Sequence, residues 1–170
     1  ARQLVDSALS CKTVPECFVL STSCTALTVC GRYEEALELV PRLERLAADG
    51  VGGSSVYDSL VLLALRRGLP AQAESLARRF LARKPEKDAS GEVLHELLVE
   101  ALVAQHRCKD AAAVLLGLLE DREFKLVPSH LLPAVRLVQE CKAENIAGEL
   151  THIRDLLRIR GIKTGEVRAR

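Results

Sequence analysis

Apolar residues recur at three- and four-residue intervals through most of the chain. That is the period of a helix with one buried stripe. Between residues 32 and 48 the stripe is Ala36, Leu39, Val40, Leu43, Leu46 and Ala47. Between 56 and 67 it is Leu60, Leu63 and Ala64, and its partner over 70–84 carries Ala73, Leu76, Ala77 and Phe80. Residues 92–106 bring Val93, Leu97, Leu98, Ala101 and Leu102 inward, and 109–120 bring Ala112, Leu115, Leu116 and Leu119. The last stripe is Ala147, Leu150, Ile153 and Leu157, on a helix expected over 144–160.

Punctuation sets the ends. Gly31, Gly68 and Gly161 stop helices, and Pro15 and Pro70 suit a first helical turn, where a missing N–H costs nothing. Lys84-Pro85 closes a helix, because the residue before proline avoids the α region. Residues 49–55 and Asp88-Ala89-Ser90-Gly91 read as loops, with Ser54 or Ser55 able to cap the helix that follows. The expected organisation is all-α: one domain over residues 1–170, a remnant helix at 2–10, and four antiparallel hairpins at about 15–48, 55–84, 92–120 and 128–160. A loose basic tail follows at 161–170. A start at Ala1 rather than Met suggests a piece of a longer protein.

One frame repeats. Gly31-Arg32-Tyr33-Glu34-Glu35-Ala36 is echoed from Gly68, from Arg107 and from Lys142. Its alanines, Ala36, Ala73, Ala112 and Ala147, stand 37, 39 and 35 residues apart, and each is followed three positions later by Leu39, Leu76, Leu115 or Leu150. A small residue lets two helices approach closely, so these eight positions are the expected packing anchors. A hairpin cannot bury its apolar face alone, and repeated hairpins stack into a short α-solenoid.

The phrase Gly31-Arg32-Tyr33-Glu34-Glu35-Ala36-Leu37 and the period resemble tetratricopeptide repeats. Residues 56–84 resemble a pentatricopeptide unit through Tyr57, Leu60, Val61, Gly68, Ala73 and Leu76. The resemblance covers about residues 15–160. It departs from the tetratricopeptide pattern in having no Trp, and Glu100 and Val135 where that pattern places a small residue. The pentatricopeptide likeness implies RNA reading through one polar side chain per unit. The matching positions are Thr22, Ser59, Leu98 and Pro133, and only Thr22 and Ser59 can bond a base edge.

Composition narrows the function. Charged residues make up 28% of the chain yet the net charge is +1, which is no whole-domain footprint for nucleic acid. No apolar run reaches the ~18 residues of a membrane span. Cys11, Cys17, Cys24 and Cys30 have gaps of five, six and five residues, with no Cys-x-x-Cys pair, and Cys108 and Cys141 stand apart. All six read as small helix residues rather than as metal ligands or a disulfide framework. That reading places the chain in a reducing intracellular compartment: cytoplasm, nucleus or mitochondrion. His95, His106, His130 and His152 are scattered, and Cys108 with His106 makes a poor nucleophilic couple because near neighbours on a helix do not face one another. No catalytic residue, cofactor or metal is expected.

The expected function is protein–protein interaction or scaffolding, with a protein or peptide held on the first helices of the hairpins. Thr22, Asp58, Ser59, Arg66 and Glu100 are the candidate contacts. A homodimer through leucine-rich faces, such as Leu62, Leu63 and Leu65, is a second option. The alternative is an RNA-binding repeat gripping phosphate with Arg78, Arg79, Arg83, Lys84 and the tail.

Overall fold

The computed structural model describes residues 16–47, 54–82, 89–121, 126–141 and 146–162. The 2–10 segment, the tail beyond Ile162, Arg83 and Lys84 lie outside the described residues. Among those described there are eight helices and no strand, so the chain is all-α. They are α1 (Glu16–Val29), α2 (Tyr33–Ala47), α3 (Ser54–Arg66), α4 (Pro70–Leu81), α5 (Ala89–Ala104), α6 (Cys108–Glu120), α7 (Pro128–Glu140) and α8 (Ala147–Ile159).

Two local expectations change. Ala89, Ser90 and Gly91 are not a loop but the first turn of α5, and Ser54 and Ser55 open α3. First-turn amides have no partner within any helix, so Ser and Gly forfeit little there. The second change concerns Ala147. Ala36, Ala73 and Ala112 are fully buried one turn into their helices, whereas Ala147 is exposed. It is the first residue of α8, ahead of the packed turns, and Ile146 is the residue buried at that end. Leu76 and Leu115 are buried, and Leu39 and Leu150 are half-buried.

The helices share one core. α1 packs on α2, α3 on α4, and α5 on α4 and α6. The odd-numbered helices also lie side by side, α1 on α3, α3 on α5 and α5 on α7, while α8 rests chiefly on α6. Leu20, Leu60, Leu94, Leu102, Leu115 and Leu131 are buried in it. A fully buried leucine contributes about 1.5–3 kcal/mol. Tyr57 of α3 and Phe80 of α4 add a ring pair with centroids 4.6 Å apart.

One turn recurs with the same hydrogen bonds. The Gly31 N–H donates to Thr28 O and the Arg32 N–H to Leu27 O, closing α1 with a left-handed residue. Gly68 and Leu69 close α3 in the same way, His106 and Arg107 close α5, and Gly161 and Ile162 close α8. His106 takes this turn at φ +59°, a conformation that glycine adopts without steric cost.

At the second, third and fourth of these turns the residue just before the left-handed position reaches back to an earlier helix. Arg67 donates to Gly31 O and Glu34, and its guanidinium lies 5.7 Å from the centre of the Tyr33 ring. Gln105 donates to Pro70 O at 3.4 Å and to Glu74 at 3.0 Å, and Arg107 reaches Glu74 at 2.6 Å. Arg160 donates to Leu119 O and Asp121 O, satisfying carbonyls at the end of α6. Two of these ties land on the opening residue of an even-numbered helix, Tyr33 of α2 and Pro70 of α4.

Candidate functional site

The solvent side of the odd-numbered helices carries the expected contact residues. On α1, Phe18, Thr22 and Val29 share one stripe, spaced four and seven residues apart, and all three are exposed. On α3 the matching stripe is Ser59, Leu62 and Arg66, flanked by Asp58 and Leu63. Arg66 is exposed and the other four are half-buried. On α5 it is Glu96, Glu100 and Val103, all half-buried, and on α7 it is Pro133, Arg136 and Glu140. These helices pack side by side, so the stripes stand in a row. The face mixes half-buried aliphatics with both signs of charge. Asp58 and Ser59 are engaged within the chain, so part of this row is already ordered.

The positions implied by the pentatricopeptide likeness do not form one polar line. Thr22 and Pro133 are exposed and Ser59 is half-buried, but Leu98 is 3% exposed and belongs to the core. Leu98 stands one turn from Leu94 and Leu102, on the side of α5 that the neighbouring helices cover.

The basic second pair is partly neutralised by its own neighbours. Arg78 donates to Glu74 at 2.8 Å and Arg79 to Glu44 at 2.7 Å. Glu74 is the hub, accepting from Arg78, Gln105 and Arg107 with its side chain only 13% exposed. Burial alone would push its carboxyl up. The hydrogen bonds from Arg78 and Gln105, with the Arg107 and Arg78 charges, outweigh burial and hold it below the usual carboxylate value.

Among the described residues no group of His, Cys, Asp and Glu could hold a metal ion, and no helix is long and apolar enough to cross a membrane. Cys24 is buried against α2, donates to Ala36 O, and is pushed up to about 12 by desolvation. It is an inert thiol. Cys30 is free and exposed. His106 has no thiol beside it, because Cys108 is bonded to Cys141.

That disulfide corrects the expectation of six free cysteines. The two Cα atoms are 6.2 Å apart and the pair is 33 residues apart in sequence. The Arg67–Glu34 and Arg107–Glu74 pairs have the same separation, which is the signal that could have found it. No motif in the sequence singles out Phe18 and Val29, which are 63% and 81% exposed. No protein-family model, curated protein or solved structure matches the chain.

Proposed function

We propose that the chain is a short α-solenoid of tetratricopeptide or pentatricopeptide-like hairpins that binds a protein or peptide along the row of odd-numbered helices. The observation that carries the reading is that row itself: Phe18, Thr22 and Val29, then Ser59, Leu62 and Arg66, then Glu96, Glu100 and Val103. Partly covered aliphatic groups set among separate charges can bury apolar area and fix a partner's orientation with ion pairs. A non-enzymatic scaffold in a longer protein is part of the same proposal. So is an intracellular compartment, which fits the free thiols of Cys24 and Cys30 and accommodates the disulfide as a bond that opens and closes.

RNA binding is the weaker reading because Arg78 and Arg79 already face Glu74 and Glu44, and a phosphate would have to displace those carboxylates.

The test is capture of partners by the immobilised chain, compared with Asp58→Lys plus Glu100→Lys, and with a control charge change on the outer side, Glu35→Lys. A partner kept by the control and lost by the paired variant supports the proposal. Partners that ignore both changes refute it. Single-stranded RNA binding that weakens steeply with salt would replace it with the alternative. Sedimentation equilibrium tells a second copy from a foreign partner.

A further inference from the structure

A further tie between turns is covalent. Gln105, at the end of α5, meets Pro70, the first residue of α4. Cys141, at the end of α7, meets Cys108, the first residue of α6. The disulfide therefore occupies the place in the third junction that the Gln105 hydrogen bond occupies in the second and the Arg67–Tyr33 stack in the first. Packing is thin there. α4 lies broadly along α5, whereas α6 touches α7 sparingly. The end of α7 has no long polar side chain at position 141 to reach back with.

We infer that Cys108 and Cys141 form a reversible thiol–disulfide site, exchanging with a small thiol–disulfide couple such as glutathione, and that its state sets how firmly the end of α7 is held on α6. Both residues are half-buried, so a small thiol can reach them, unlike the buried Cys24. Cys108 opens α6, and the unpaired amides of a helix N-terminus favour negative charge on its sulfur.

Closure runs in two exchanges. The Cys108 thiolate attacks one sulfur of oxidised glutathione, breaks its S–S bond and expels one glutathione thiolate. The Cys141 thiolate then attacks the Cys108 sulfur of the mixed disulfide, forms the Cys108–Cys141 bond and expels the second. The two cysteines lose two electrons and two protons, and oxidised glutathione becomes two molecules of the thiol. Excess glutathione reverses both steps.

The test uses the 170-residue chain carrying Cys30→Ser, which removes the thiol that is exposed among the described residues. It is equilibrated in glutathione buffers from fully reducing to fully oxidising, trapped with an alkylating agent under denaturation, and mapped by mass spectrometry. Amide exchange is followed in parallel. The expected result is one reversible transition that protects Cys108 and Cys141 together. On opening, amides in the last turn of α7 exchange at least tenfold faster, while those of Leu60 and Leu76 keep their rates. Cys141→Ser, added to the same chain, exchanges like the reduced protein in both buffers. Failure of the two cysteines to pair, pairing that glutathione cannot reverse, or pairing that leaves α7 exchange unchanged overturns the inference.

Discussion

The junction between α4 and α5 and the junction between α6 and α7 solve one problem by different means. At the first, broad packing does most of the holding, and Glu74 with Gln105, Arg107 and Arg78 adds a polar clasp. At the second, packing is sparse and one disulfide spans the gap. The same contrast separates Ala73, fully buried between helices, from Ala147, exposed at the start of α8. A repeated sequence frame thus does not impose a repeated environment. The centre is held on several sides, and the end chiefly on one.

The largest effect that could break this comparison is cavity formation. Leu102 of α5 and Ile153 of α8 are both fully buried. Leu102→Ala should cost toward the upper part of the range of about 2–5 kcal/mol, and Ile153→Ala toward its lower part. The reason is that α5 is enclosed by α3, α4, α6 and α7, so its cavity cannot collapse, whereas α8 rests chiefly on α6. Urea unfolding of both variants measures it, and equal costs would remove the distinction between centre and end.

Overpacking comes next. Ala73→Leu forces α4 away from its neighbours and should cost about 1–3 kcal/mol. Ala147→Leu should stay within about 0.5 kcal/mol, as exposed substitutions do. A shared large penalty would restore Ala147 as a packing anchor.

The Glu74 clasp gives a pH signature. Its folded pKa is lowered from the ordinary value of 4.5. Its contribution is therefore fully present above that value and is lost as pH falls through the folded pKa. Glu74→Gln should cost about 1–2 kcal/mol at neutral pH. The gap from wild type should close as the solution is acidified below pH 4.5. A constant gap across thermal melts at pH 3 to 7 would show that the carboxylate charge is not what holds Gln105 and Arg107.

The smallest effect sharpens the turns. Gly31 and Gly68 occupy the left-handed position of their turns, and His106 occupies it in the third. His106→Gly relieves that conformation and should stabilise the chain by up to about 1 kcal/mol, read as a higher melting temperature. No gain would mean that the imidazole makes a compensating contact.

Much of the helical order was legible, because stripe period and glycine stops act within a few residues. Gly31, Gly68 and Gly161 close helices where expected, and Ala36, Ala73 and Ala112 are buried as their spacing suggested. The start of α5 was not legible because Asp88-Ala89-Ser90-Gly91 has loop composition, and first-turn positions tolerate such residues. Of the candidate contacts, Thr22 and Arg66 are exposed, and Asp58, Ser59 and Glu100 are half-covered. Register alone could place them on the odd-numbered helices but could not say how much each is covered.

The sequence by itself determined most helix spans, their turns and the burial of three of the four anchor alanines, since each depends on neighbours along the chain. Only the tertiary structure decided that Gln105 and Arg107 join Arg78 on Glu74, that Leu98 sinks into the core, that Ala147 stays in solvent, and that Cys108 meets Cys141. Those outcomes depend on which helix lies opposite, and residues more than thirty positions apart carry no local sign of being neighbours.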